Sequence, residues 1–282
     1  MKLSCLPVSF YQDLSAGRRT LGDWFRFAAE LGLDGADMSV AHLASRDPAY
    51  LDGLRSEADD AGVQISMIVT YADFTHPDAA VRARQPDDVR AYIDVAARLG
   101  TTFLRVPAGQ NHPGVGRAEG IDWAVAGLLS CLDDAAKAGV TLCYENHTIG
   151  YGWTHYDFSQ KVDIFLEIFR RTEGSGLKLL FDTANTLSTG DDAVAVLHQV
   201  KHRVAIVHVN DLHEVGKFQP VLLGTGVAPV KQIFEVLVAD GFDGWLSVEE
   251  ASKTGDAGLR TAIPLAEKLW LEAGGRARGV TG

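Results

Sequence analysis

Eight short apolar segments alternate with amphipathic segments along 282 residues, and four of the later apolar segments end in a carboxylate or an imidazole. No Ser/Pro-rich linker, low-complexity tract or shift in composition divides the chain. These observations predict a single-domain α/β protein, a (β/α)8 TIM barrel. Apolar strands separated by helices imply a parallel sheet covered by helices, and eight such units in this length imply closure rather than an open sheet.

The elements follow in order. A first strand is expected from about Leu3, then a helix over TLGDWFRFAAELGL (20–33). Strands near Gly35 and Val63 precede the helical pattern PDDVRAYIDVAARLG (86–100) and a strand near Thr102. DWAVAGLLSCLDDAAKAG (122–139) leads to a strand near Val140, and DFSQKVDIFLEIFRRT (157–172) to one near Leu177. DDAVAVLHQVKH (191–202) leads to Val204, and PVKQIFEVLVADG (229–241) to Gly244. Gly32, Gly62, Gly100, Gly139 and Gly241 each fall at a helix end just before a strand, where a left-handed cap favours glycine. Pro229 suits a first helical turn, and Asp157 and Asp191 are candidate N-caps. The closing helix, 254–274, contains Pro264, which predicts a kink or a late start. The barrel is expected to span 1–274, with residues 275–282 a frayed tail.

Composition narrows the class. Hydrophobic residues form 46% of the chain and charged residues 22%, enough for a globular core. A net charge of −11 without a Lys/Arg-rich run provides no footprint for nucleic acid or an anionic membrane. No apolar run approaches the roughly 18 residues of a membrane span. Cys5, Cys131 and Cys143 are odd in number and far apart, so no disulfide framework is expected, and Cys143 reads as a small core residue. The opening MKLSCLPVSF is interrupted at Pro7 before it reaches the form of a signal peptide. The expectation is a cytoplasmic protein.

The chemistry-bearing residues are Glu145, Asp182, His208 and Glu249, in VTLCYENH (140–147), LKLLFDTAN (177–185), VAIVHVND (204–211) and GWLSVEEA (244–251). Three carboxylates and one imidazole from four successive strand ends form an oxygen-rich ligand set for a divalent cation. Burying three carboxylates without a cation would be costly. Strand alternation tests this set. With Asp182 inward, Leu179 and Phe181 face the helices; with His208 inward, Ala205, Val207 and Val209 do. With Glu249 inward, Leu246 and Val248 face out, and with Glu145 inward, Leu142 and Tyr144 do. All are apolar. Parity prefers Glu249 to Glu250 and places Asn210, rather than Asp211, on the side of His208. Barrel enzymes carry their active sites at these strand ends. Isolated strand-end polar residues commonly just cap helices, but four in matching parity favour a site.

The motifs YENH (144–147), FDTAN (181–185), VHVND (207–211) and DGWLSVEE (243–250) resemble those of the sugar isomerase/epimerase superfamily with a xylose-isomerase-like barrel. LGTGVAP (223–229) is similar to its glycine-containing loop, and AAELGLDGADMS (28–39) to its first helix and second strand, with Asp37 where glutamate is more usual. The resemblance covers nearly the whole chain. It implies metal ligands at Glu145, Asp182, His208 and Glu249, with Glu145 and Glu249 an acid/base pair. The implied ion is Mn²⁺ or Mg²⁺, given oxygen-dominated ligation, with Co²⁺ and Zn²⁺ open. Two departures concern the substrate. Asn185 stands where several epimerases carry histidine, and the loop TIGYGWTHYD (148–157) has no glutamate to support Glu145.

The implied reaction begins on an α-hydroxy ketone, from a sugar or polyol, whose C–H proton passes to Glu249 or Glu145 to give an enediolate. Return of the proton from the other face epimerises, transfer to the neighbouring carbon isomerises, and loss of a β-hydroxyl dehydrates. An isomerase or epimerase leads, with a lyase of the inosose or dehydroshikimate type as the alternative. An abasic-site endonuclease would need more histidines and a basic face, and a non-catalytic sugar-binding barrel would not need the full quartet. Candidate substrate contacts are Arg105, inward in TTFLRVP (101–107), His147, Asn185, Asn210 and Trp153, with Tyr71 a further stacking candidate. A structural ion pair with a ligand carboxylate competes for Arg105, a supporting hydrogen bond for His147, Asn185 and Asn210, and core packing or loop anchoring for Trp153 and Tyr71. His213 and Lys217 read as solvated surface, and His112 has no partner visible in the sequence. There is no GxxxxGK[ST] and no GxGxxG after a strand, so nucleotide binding is unsupported. Barrels of this type often pair, so the resemblance implies a homodimer.

Overall fold

The computed structural model describes residues 1–279. Eight parallel strands form one sheet: β1 (Lys2–Leu6), β2 (Gly35–Ser39), β3 (Gln64–Val69), β4 (Phe103–Val106), β5 (Thr141–Glu145), β6 (Lys178–Asp182), β7 (Val204–Val209) and β8 (Trp245–Glu249). The hydrogen-bonded order is β1-β8-β7-β6-β5-β4-β3-β2. The remaining seam, between β1 and β2, is bridged by Asp34: its N–H donates to the Leu3 carbonyl (2.9 Å) and its carboxylate accepts from Leu3 N–H (2.8 Å). The chain is a single, nearly closed TIM barrel, as the alternation predicts.

The helices are α1 (Tyr11–Ser15), α2 (Leu21–Glu30), α3 (Pro48–Ala61), α4 (Ala79–Leu99), α5 (Arg117–Leu129), α6 (Leu132–Lys137), α7 (Val162–Arg171), α8 (Ala193–Val200), α9 (Val230–Ala239) and α10 (Gly255–Glu272). Thr20 opens α2 with a reciprocal capping box to Asp23. Gly62 and Gly100 close α3 and α4 in the left-handed conformation. Among the described residues no helix is long and apolar enough to cross a membrane.

Several boundaries differ from the sequence reading. Helix α4 starts at Ala79, not at Pro86, because Asp78 accepts from Ala80 N–H (2.7 Å) and Val81 N–H (3.3 Å), and Pro86 lies inside the helix. The segment 122–139 is two helices, broken at Ser130 and Cys131. Asp157 is no cap: α7 begins at Val162, and Asp157 is buried in the site described below. Asp192, rather than Asp191, caps α8. Helix α10 does not start late but runs through Pro264, which has no N–H for the Arg260 carbonyl one turn back. Two described residues of the expected tail make contacts with the barrel. Trp270 Nε1 donates to the Arg276 carbonyl (3.1 Å), and Arg278 binds Glu267 (2.8 Å) and reaches Asp34 (3.5 Å). The last residues, 280–282, lie outside the described residues.

Strand parity sorts the core into two layers. Leu142, Tyr144, Leu179, Phe181, Val207, Val209, Leu246 and Val248 pack in the strand–helix layer. Leu6, Met67, Val69, Cys143, Leu180, Ile206 and Trp245 form a separate cluster inside the barrel. Ala205, expected outside, packs against the inner cluster, because the β6–β7 register shifts between Leu179 and Leu180. The next inward positions along β5, β6 and β7 are Glu145, Asp182 and His208, and β8 reaches Glu249 one inward position beyond the buried Ser247, all at the C-terminal rim.

Candidate metal centre

Glu145, Asp182, His208 and Glu249 converge, each offering one ligand atom within 4.8 Å of the others. His208 Nδ1 lies 3.0 Å from Glu145 Oε1 and 3.0 Å from Glu249 Oε2. Glu145 Oε2, Asp182 Oδ2 and His208 Nε2 are buried and have no hydrogen-bond partner. Unpartnered buried polar atoms are rare in folded proteins and call for an explanation such as an ion. Three of them in one cluster fit a cation-binding set, and the donors are those a hard or borderline divalent ion prefers.

Neighbouring groups orient these ligands. Asp182 Oδ1 accepts from Ala184 N–H (2.7 Å) and Asn185 N–H (2.6 Å), so one oxygen anchors the carboxylate and Oδ2 is left for the cluster. Asn146 ties β5 to β6, donating to the Asp182 carbonyl (2.9 Å) and accepting from Asp182 N–H (2.7 Å). Arg105 Nε lies 3.4 Å from Glu145 Oε2, an ion-pair contact without hydrogen-bond geometry. Arg105 Nη1 lies 3.3 Å from His147 Nε2. A guanidinium can only donate, so His147 Nε2 accepts and its proton sits on Nδ1, 3.1 Å from Asp157 Oδ2. Asp157 is held in turn by Ser159 N–H and Oγ, each at 2.7 Å.

Electrostatics divide the carboxylates. Burial opposes ionisation of Glu145, yet Arg105 and His208 bring its carboxyl down to about 2. Burial likewise works against charge on Glu249, and His208 prevails, lowering it. Burial, reinforced by Glu249 and Glu145, pushes Asp182 well up. For His208 burial disfavours the cation, but Glu249 and Glu145 together outweigh it and raise the imidazole well above its usual range. Without a cation the cluster therefore holds protons that a metal would displace.

The cluster opens on a cavity of ≈ 630 Å³. This falls within the roughly 300–1,000 Å³ typical of small-molecule sites. Its wall includes Glu249, Arg105, His147, Tyr11, Tyr71 and Lys253. The Glu249 side chain is 21% exposed whereas that of Glu145 is 1% exposed, so Glu249 is the carboxylate that a ligand meets first. Tyr71 donates to or accepts from Ser39 Oγ (2.8 Å), with its ring 5.3 Å from the Arg105 guanidinium.

Among the other residues singled out in the sequence, Asn185, Asn210 and Trp153 lie outside the cavity wall. Asn185 Oδ1 accepts from Thr148 Oγ1 (2.9 Å), and Asn210 Oδ1 accepts from Asp211 N–H (2.8 Å). The Trp153 ring meets His147 edge-on at 5.5 Å. His213 and Lys217 are exposed, and Lys217 pairs with Glu214 (2.6 Å). His112 has a partner after all: Nε2 lies 2.7 Å from Asp73. Asp73, His76 and His112 are also close enough to ligate an ion, but Gln110 and His112 already occupy the Asp73 carboxylate, and His76 Nδ1 accepts from Asp78 N–H (3.1 Å).

Sequence reasoning missed three supports. Asp157 and Asn146 hide in polar stretches that alternation does not rank. Asp211 accepts from the N–H groups of Leu212, Gly224, Gly226 and Ala228, at 2.9 to 3.0 Å, and so shapes the loop containing LGTGVAP. A Cβ at Gly226 would meet the Leu212 carbonyl at 2.1 Å, so only glycine fits that turn.

A nearly closed barrel with a carboxylate–imidazole cluster at its C-terminal rim defines a class of barrel enzymes, and comparison with known proteins places the chain within it. The xylose isomerase-like TIM barrel family model matches residues 25–272, and the chain belongs to that family. It is 30% identical over 264 residues to a putative hydroxypyruvate isomerase of Streptomyces coelicolor, covering 89% of this chain and 90% of that protein. It is 26% identical to an L-ribulose-5-phosphate 3-epimerase of Salmonella paratyphi A, covering 89% of each, and 28% identical to an inosose dehydratase of Geobacillus thermodenitrificans over 45% of this chain and 46% of that one. Among solved structures, a D-tagatose 3-epimerase-like protein superposes with a TM-score of 0.78 at 17% identity, covering 96% of this chain and 99% of that one. A zinc-bound IolI protein gives 0.75 at 16% identity, covering 97% and 96%. At these identities the structural likenesses speak to fold alone.

Proposed function

We propose that this protein is a divalent-metal-dependent isomerase or epimerase of a small sugar or keto-sugar. The observation that carries the reading is the set of unpartnered, buried ligand atoms on Glu145, Asp182 and His208, completed by Glu249 at the floor of a sugar-sized cavity. Glu145, Asp182, His208 and Glu249 would hold the ion, and oxygen-dominated ligation favours Mn²⁺ or Mg²⁺. When bound, the ion would polarise the substrate carbonyl and stabilise negative charge on the adjacent oxygens.

The chain's own residues supply the proton transfer. Glu249, ionised and facing the cavity, takes the proton from the carbon next to the carbonyl. Glu145, held ionised by Arg105 beside it, is the second member of the pair and serves the opposite face. Arg105 also binds a substrate oxygen, with His147 and Asp157 fixing its guanidinium. Asn185, Asn210 and Trp153, which sit behind the wall, act on the substrate through the Thr148 side chain, the Asp211 backbone and His147 rather than by direct contact. Three buried, unpaired cysteines suit the reducing cytoplasm.

A second reading, a lyase on the same enediolate, is favoured by the similarity to inosose dehydratase. One experiment separates the two. Metal-replete protein is incubated with keto-sugars, hydroxy-keto acids and keto-inositols, and products are read by NMR and ultraviolet absorbance. A new isomer or epimer of unchanged composition supports the leading reading. An absorbing enone formed with loss of water replaces it with the lyase, and no conversion across the panel rejects both.

A further inference from the structure

The loop after β8 carries a cation that the proton-transfer scheme does not use. Lys253 is the only non-glycine residue with a positive φ (64°) among the described residues, a conformation that a side chain bearing Cβ rarely adopts. Such strain persists where the surroundings impose it, and it concentrates at ligand-binding sites. Here the imposing contacts are visible. Lys253 N–H donates to Ser9 Oγ (3.0 Å), and Ser9 Oγ donates to the buried Glu250 carboxylate. Ser252 N–H donates to Glu250 Oε1 (3.0 Å), and Ser9 N–H donates to the Glu250 carbonyl (2.9 Å). The β8 loop is thereby stitched to the segment after β1, and Lys253 becomes part of the cavity wall.

Charge makes the placement informative. The chain has 37 acidic against 26 Lys and Arg residues, yet Lys253 forms no ion pair with any described carboxylate. The other charged side chains on the wall each have a charged neighbour, Arg105 beside Glu145 and Glu249 beside His208, whereas Lys253 has none among the described residues. A cation at the mouth of a small-molecule cavity, exposed, unpaired and held in a strained backbone, is placed to meet an anion from solution.

We propose that Lys253 is a specificity residue that recognises an anionic terminal group, a carboxylate or phosphate, on the substrate. The inference rests on the keto-sugar reading above and narrows it to acidic or phosphorylated substrates. The Glu250–Ser9–Ser252 network is the device that positions Lys253.

The test uses metal-replete protein and three substrates differing only at the terminal carbon: hydroxymethyl, carboxylate and phosphate. Wild type should favour one anionic substrate over the neutral one in kcat/KM by about tenfold or more, as expected of a charge-assisted contact. Lys253→Gln should erase that ratio through KM, and Lys253→Arg should retain most of it. The preferred anion identifies carboxylate or phosphate as the source. A ratio that Lys253→Gln leaves unchanged overturns the proposal. Calorimetric binding of glycolate and of inorganic phosphate to wild type and Lys253→Gln needs no turnover. Weaker binding to the variant supports the anion site even if no keto-sugar is converted, and equal binding of both probes overturns it.

Discussion

Glu249 and Glu250 are adjacent in the chain and serve opposite sides of the end of β8. Glu249 turns inward, with Oε2 3.0 Å from His208 Nδ1, while Glu250 accepts from Ser9 and Ser252 and builds the loop that carries Lys253. The division follows from strand alternation, and it separates chemistry from scaffolding within one dipeptide.

Replacing Glu249 with Gln should therefore leave the fold intact and reduce turnover by roughly 10²- to 10⁴-fold, the range for loss of a general base. Circular dichroism and kcat on the same preparation check both halves. A Glu249→Gln protein that turns over at the wild-type rate removes Glu249 from the acid/base pair.

Arg105→Met should destabilise the metal-free protein by up to about 3 kcal/mol, because it removes one of the two cations, Arg105 and His208, that offset the buried Glu145 carboxylate. Adding a divalent ion should recover part of the loss. Chemical denaturation with and without metal reads the difference, and a metal-independent stability change would separate Arg105 from the cluster.

Stability of the metal-free protein should fall as the solution becomes alkaline. Asp182 and His208 are both pushed up in the folded state, so each contributes most below its unfolded value and loses that contribution as pH rises through its folded one. For His208 the decline begins above about 6.5, the unfolded imidazole value. The Glu145 contribution has the opposite sign: it is present above the unfolded carboxylate range and is lost as pH falls toward about 2. A cation competes with the protons on Asp182 and His208, so its affinity should increase with pH. Thermal melts and metal titrations at about pH 6 and about pH 8 test both trends.

Asp211→Ala should loosen the segment from Leu212 to Ala228, since four backbone N–H groups lose their acceptor. A cost of about 2–3 kcal/mol is expected, with faster proteolysis inside that loop. Unchanged cleavage would show that the loop is held by other contacts.

The barrel was legible in the sequence because it rests on periodicity. Apolar runs such as LKLLF and VAIVHV identify strands, and the glycines after helices mark their ends. The convergence of Glu145, Asp182, His208 and Glu249 was legible for the same reason, since parity and strand-end position together place four side chains at one rim. What periodicity does not encode was lost. Asp157 resembles a helix cap in sequence but acts through His147, a tertiary contact between two loop residues. Ala205 obeys ideal alternation only until the register shift beside it. The contact of Arg278 with Asp34 joins opposite ends of the chain, which local composition does not encode. Lys253 looks like any surface lysine until its backbone conformation is seen.

The most direct test of the central claim is solvent deuterium incorporation at the carbon next to the substrate carbonyl, followed by NMR. With metal-replete wild type, the recovered keto-sugar should gain deuterium at that carbon, and chelation or Glu249→Gln should abolish the exchange. Exchange that persists undiminished after complete metal removal, or no exchange with any substrate that the protein converts, would contradict proton transfer at this metal-binding quartet.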